Sequence, residues 1–334
     1  MKKRVESLAG WLLMAGSKDL RGHLAALFTI SVWGVTFINI KLLLVDFSPV
    51  EIMFYRLLLA LGALYAAGWI KSALTRGSPA DAGGGGEVKL NPGAVPEGSR
   101  ERRMLMAAGL CGVTLYFLFQ NMALTYTLAA NVSVLISVAP LFTALLARFL
   151  LKERLKANFF AGFAAAISGI ALIAFNGSLA LELNPLGDLL SLLAAGSWAL
   201  YVILVRQIGA QMPVLALTRR VFTYGFLFML PVLPLSGFEF GLQRLADPAN
   251  LFNLAFLGLV GSALCFGTWN YAVTTLGAVK TSVYIYAIPV VTVFAAALAL
   301  DERITLTAGV GMALILAGMA ISEREKAGRA APGS

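Results

Sequence analysis

Ten stretches of about 18 to 24 residues are apolar at nearly every position, and short polar segments divide them. An α-helix rising 1.5 Å per residue needs about that length to cross roughly 30 Å of hydrocarbon. The pattern predicts spans near residues 24–45, 50–70, 104–124, 128–151, 157–175, 187–206, 213–235, 251–275, 281–300 and 305–322. The expected fold is an all-α integral membrane protein with ten transmembrane helices, each span being too apolar for a helix with one wet face.

The pattern also repeats. Asn121, Ala123, Pro140, Glu153, Arg154, Gly162 and Gly169 recur 149 residues later as Asn270, Ala272, Pro289, Glu302, Arg303, Gly311 and Gly318. Trp33 to Lys41 match Trp198 to Arg206, and Pro49 to Arg56 match Pro213 to Arg220, at offsets of 165 and 164. The change of about fifteen residues places an extra segment between Arg56 and Asn121, marked by Gly83 to Gly86. The expected organisation is an N-terminal segment (1–23), a first repeat (24–175) with a flexible loop at 72–103, a second repeat (187–322) and a tail (323–334). Each repeat has five spans. An odd number turns the second copy over, so the two repeats are expected to be inverted, the architecture of carriers that alternate which side a central site faces.

Charge then sets the expected topology. Apolar residues make up 59% of the 334 positions and charged ones 13%, well below the roughly 25% of soluble domains. The net charge of +9 raises nucleic acid as a partner, but its distribution argues against that. With the N-terminus in the cytosol, nineteen of the 26 Lys and Arg fall on inner segments and only Arg244 and Arg303 on outer ones. This is the positive-inside signature, with both termini cytosolic. Cys111 and Cys265 lie within spans at unmatched positions and imply no disulfide framework. Trp11 to Gly16 is too short to span, and no cleaved signal is expected.

Several residues are candidates for function. Pro140 and Pro289 each remove a backbone donor inside a span, leaving the Ile136 and Ile285 carbonyls without partners, so both helices should kink beside a cavity. Trp33 and Phe37, with Lys41, share one stripe of the first span. Tyr116, Gln120 and Asn121 join them from the third, Trp198 and Tyr201 from the sixth, Trp269 and Asn270 from the eighth, and Tyr284 from the ninth. Aromatic walls with a few amides suit a small amphiphilic ligand. Lys41 and Arg56 lie near outer helix ends, and their matches Arg206 and Arg220 near inner ones. They either snorkel or act as cationic groups at the two mouths, binding a substrate carboxylate or forming gates. Glu153 and Glu302, each followed by Arg, are further gating candidates. Gly109/Gly112, Gly258/Gly261, Gly162/Gly169 and Gly311/Gly318 set small residues on helix faces as packing seams.

The spans show no buried His and no clearly central Asp or Glu. No metal cage, phosphate loop or nucleophile elbow is present in the sequence, so ATP-driven pumping and serine hydrolysis are disfavoured and no cofactor is expected. Trp33-Gly34 with Phe37, Pro49 to Arg56, Asn131 with Pro140 and Glu153, and then Trp198, Pro289 and Glu302 together resemble the drug/metabolite transporter superfamily, specifically its EamA-type members. That resemblance implies a ten-helix carrier with a central cavity in a bacterial inner membrane. Its members move amino acids, other metabolites or drugs, often outward. The second copy departs from the pattern in having Trp198-Ala199, and Val202 opposite Phe37.

The leading expectation is a secondary exporter of small amphiphilic metabolites such as amino acids, with a small solute and the lipid bilayer as its partners. The alternatives are a carrier of phosphorylated or nucleotide-sugar anions, a membrane-embedded enzyme, and a channel. Neither coupling nor oligomeric state follows from the residues.

Overall fold

The structure, a computed structural model, describes residues 17–76, 98–127, 129–153, 157–175, 184–209, 211–300 and 306–323. All regular elements among the described residues are helical. Helix α1 (Ser17–Leu43) is followed by α2 (Pro49–Arg76). Helix α3 (Ser99–Gly109) passes through a π-helical segment, Leu110–Leu115, into α4 (Tyr116–Tyr126). Next come α5 (Ala129–Ile136), α6 (Ala139–Leu150), α7 (Ala157–Phe175), α8 (Pro185–Ile208) and α9 (Val214–Met229). After the short α10 (Leu242–Leu245), α11 (Pro248–Ala255) passes through a second π-helical segment, Phe256–Leu264, into α12 (Cys265–Leu276). Helix α13 (Ala278–Ser282), a 3-10 turn at Val283–Ala287, α14 (Ile288–Leu300) and α15 (Leu306–Glu323) complete the order.

Among the described residues, eight helical stretches are long and apolar enough to cross a membrane, and Ala157–Leu172 and Gly309–Ser322 are shorter apolar helices. Two boundaries differ from expectation. The first helix begins at Ser17 rather than near residue 24, so His23 lies on α1 and is buried. The expectation of no buried histidine was wrong because a span can extend past its apolar window into the interface. The 72–103 segment is also shorter as a loop, since α2 runs to Arg76 and α3 starts at Ser99.

Local chemistry explains the starts and breaks. Ser48 and Glu51 form a reciprocal capping box at α2: the Ser48 N–H donates to Glu51 Oε2 (2.7 Å) and the Glu51 N–H to Ser48 Oγ (3.3 Å). Asn184 and Asp247 cap α8 and α11, each followed by Pro at the first helical position. Pro140 and Pro289 both fall at the second residue of a helix, after a turn at Ser137–Val138 in one case and after the 3-10 turn in the other. Missing N–H groups at these positions end the preceding helix instead of merely bending it.

Helices α7 and α15 run antiparallel along a glycine seam. A Cβ on Gly162 would lie 2.4 Å from the Gly318 carbonyl, one on Gly318 2.5 Å from the Gly162 carbonyl, and one on Gly169 2.4 Å from the Gly311 carbonyl. Only glycine permits that approach. Elsewhere α1 packs against α12 and α14, and α4 against α8, enclosing a mainly aliphatic core with a cluster of aromatic rings within it.

Candidate functional site

The aromatic cluster surrounds a small cavity. Trp33, Thr36 and Phe37 of α1, Arg56 of α2, Tyr116, Phe117 and Gln120 of α4, Phe266 of α12 and Ile288 of α14 line about 260 Å³ of space between atoms. In this conformation the space leaves room for about one water molecule, so a larger ligand requires the walls to part. Behind the lining, Trp198 meets Trp33 (ring centres 5.1 Å, edge to face) and Tyr116 (4.9 Å), and Trp269 meets Trp33 at 5.2 Å.

The two π-helical segments match under the 149-residue offset and shape this wall. Widening a helix turn frees backbone carbonyls, and the Trp33 indole N–H donates to one of them, Gly261 O, at 2.9 Å. Gly112 and Gly261 sit inside these segments because side chains cross there. A Cβ on Gly112 would lie 2.2 Å from the Tyr201 ring, and one on Gly261 3.0 Å from Thr36. Tyr201 and Thr36 are themselves matched positions of the repeat.

Arg56 is the one charged residue among those described in the lining. It is 2% exposed, which is more enclosed than a snorkelling side chain. Its Nε donates to Ser262 Oγ at 2.6 Å, its guanidinium carbon lies 3.8 Å over the Phe117 ring, and Nη1 is buried without a hydrogen-bond partner among the described residues.

Of the other expected site residues, Trp33, Phe37, Tyr116 and Gln120 line the cavity, and Trp198 and Trp269 form its second layer. The rest of those described do not line it. Asn121 Nδ2 donates to Pro49 O (3.1 Å). Asn270 accepts from the Tyr201 hydroxyl (2.5 Å) and donates to Thr218 Oγ1 (2.9 Å), so these polar groups satisfy one another. Tyr284 pairs with His23 Nδ1 at 2.5 Å. Lys41 Nζ donates to Leu124 O (2.6 Å) and Arg206 Nη1 to Thr274 O (2.8 Å), each holding the last turn of a neighbouring helix. Arg220 is partly exposed on α9. Glu153 follows α6, where Lys152 takes a left-handed φ of 56° and the Glu153 N–H closes on Ala147 O (3.2 Å). Glu302 lies outside the described residues.

Thr36, Phe117, Phe266 and Ile288 were not anticipated. Phe117 and Phe266 are 149 residues apart, so the repeat offset could have singled them out. A second unexpected cluster closes one end of the fold. Arg244 donates to both Glu51 oxygens (2.9 and 3.1 Å) and to Asp46 O (2.7 Å), while Asn250 donates to Asp46 Oδ2 (2.9 Å). The hydrogen bonds from Arg244 to Glu51 favour its charged form. The Tyr55 hydroxyl donates to Phe240 O beside it, and Phe238 and Phe240 pack on Phe54.

Against known proteins, the profile of the EamA-like transporter family matches residues 20–175 and 185–323. An "Uncharacterized transporter" of Archaeoglobus fulgidus is 30% identical over 299 residues, covering 89% of this chain and 95% of its own length. A "Probable terminal-alkyne amino-acid exporter" of Streptantibioticus cattleyicolor is 32% identical over 231 residues, covering 69% of this chain and 76% of the exporter. A "Probable amino-acid metabolite efflux pump" of Escherichia coli is 27% identical over 308 residues, covering 89% and 93%. One solved crystal structure shares the fold with a TM-score of 0.70 at 20% identity, over 92% of this chain and 96% of that one.

Proposed function

The chain belongs to the EamA-like transporter family, and from that premise we propose that it exports small amphiphilic metabolites such as amino acids by alternating access. It is a multi-pass membrane transporter and not an enzyme. The observation that carries the proposal is the cavity itself. Its lining comes from both family-matched stretches, with Trp33, Arg56, Tyr116 and Gln120 from the first and Phe266 and Ile288 from the second. A site between two mutually movable halves is what alternating access requires. The relatives named for amino-acid export and amino-acid metabolite efflux support the solute class and the direction.

Ten helices in two inverted repeats are part of the proposal. Matched features support it: the paired π-helical segments, Pro140 and Pro289 at equivalent helix starts, and the reciprocal Gly162–Gly318 and Gly169–Gly311 contacts. A bacterial inner membrane with both termini cytosolic completes it, the orientation being supported by the Lys and Arg distribution.

The test is counterflow in proteoliposomes. Vesicles loaded with an unlabelled amino acid should accumulate the labelled one transiently and saturably. Flux that never saturates, or an ionic conductance, would replace the carrier with a pore.

A further inference from the structure

Arg56 is a cation sealed inside a membrane protein with no carboxylate beside it among the described residues. The titratable groups that act on it are Tyr116 and Cys265, both ordinarily neutral. Glu51 lies five residues away on the same helix, but its oxygens accept from Arg244, the Ser48 N–H and the Glu239 N–H. Arginine keeps its proton in proteins, and a buried charge left unpaired is strongly unfavourable. Ser262 and the Phe117 face hold part of the guanidinium, and Nη1 remains without an acceptor among the described residues. The missing counter-charge then has to arrive with a ligand.

We infer that Arg56 is the anchor for a carboxylate on the transported solute, so that the cavity selects amino acids and monocarboxylates with apolar side chains over amines and amides. This deepens the transporter reading and rests on it for the ligand's onward movement. The guanidinium fork matches a carboxylate, and the aromatic walls offer apolar contact to a side chain and π-faces to an ammonium group. Among the described residues no acidic side chain lines the cavity, so a purely cationic solute would meet only like charge. No second basic residue among them lines it either, which leaves a phosphoryl group, at about −1.5 to −2, half neutralised.

A paired screen on the purified full-length protein tests this. Leucine, methionine and phenylalanine are each compared with their amide and their decarboxylated amine, by thermal stability at millimolar ligand and by counterflow of the same solutes. Each acid should stabilise where its amide and amine do not, with an affinity difference of about tenfold or more, equivalent to about 1.4 kcal/mol. Arg56→Gln should erase the preference and Arg56→Lys should keep part of it. The proposal is overturned if an amide or amine matches its acid, if no acid stabilises, or if the preference survives in Arg56→Gln. The wild-type comparison needs no variant, so a misfolded Arg56→Gln does not blunt it. Counterflow separates the two readings. Carriage of an amine without acid preference keeps the transporter and removes the anchor, whereas acid-specific stabilisation without any flux keeps the anchor and removes the exporter.

Discussion

Lys41 and Arg206 occupy matched positions in the two copies and perform one task, each capping the end of a neighbouring helix through a backbone carbonyl. Trp33 and Trp198 are matched as well, yet the Trp33 indole reaches Gly261 O while the Trp198 Nε1 is buried with no partner among the described residues. The third pair differs in degree: Arg56 is sealed in the cavity wall and Arg220 is partly exposed, though the Nη1 of each is buried. Duplication has thus kept the groups that hold helix ends and seams alike. Around the cavity Phe117 and Phe266 are also kept alike, whereas Trp33/Trp198 and Arg56/Arg220 keep their residue type and differ in surroundings.

The contrast can be broken most forcefully at the arginines. Arg56→Met should lower transport efficiency by about 30-fold or more, as loss of one partner of a buried charge pair does. The same change should leave thermal stability unaltered or raise it by about 1 kcal/mol, since it removes an uncompensated buried charge. Arg220→Met should retain the acid-over-amide preference. Parallel melting and uptake assays decide between these outcomes, and a loss of both stability and uptake in Arg56→Met would mark a structural role instead.

The glycine seam comes next. Gly162→Val should destabilise by about 2–3 kcal/mol through overpacking against the Gly318 carbonyl. Gly196→Val, at a position where an added Cβ would meet nothing within 4 Å, should change the melting midpoint little. Lys41→Met and Arg206→Met should each cost about 1.5–3 kcal/mol, the range for hydrogen bonds to charged groups. Their equality, read from denaturation in detergent, is the sharper prediction. The smallest effect concerns the indoles: Trp33→Phe should cost about 1 kcal/mol more than Trp198→Phe, because only the first strands a carbonyl. Equal losses would remove that asymmetry.

Much of the architecture was legible because the bilayer imposes length and apolarity on every span. The repeat offset marked the Lys41/Arg206 and Pro140/Pro289 pairs. The cavity was harder to read for two physical reasons. Polar residues in apolar helices, such as Asn270 and Tyr201, look like ligand groups in one dimension and prove to be hydrogen-bonded to one another, while Asn121 is held through Nδ2 alone and its Oδ1 is buried without a partner among the described residues. Phe117 and Phe266 carry no polar mark, only their shared 149-residue offset, and a phenylalanine in a span is otherwise ordinary until its neighbours are known. The enclosure of Arg56 was hidden because the residues that surround it, Phe117 and Ser262, are far from it along the chain. Glu51 and Arg244 are 193 residues apart, and nothing in either neighbourhood points to the other.

The packing of Trp33, Trp198 and Trp269, with ring centres 5.1, 5.2 and 5.8 Å apart, has an optical consequence. Three of the chain's five tryptophans are close enough for their excited states to couple, which should give the cluster a near-ultraviolet dichroism of its own. Trp69, 75% exposed, is a separate emitter on the outside of the fold. Rearrangement of the cavity should alter the coupled signal and leave the isolated one unchanged, giving the protein a built-in spectroscopic gauge of its own transport cycle.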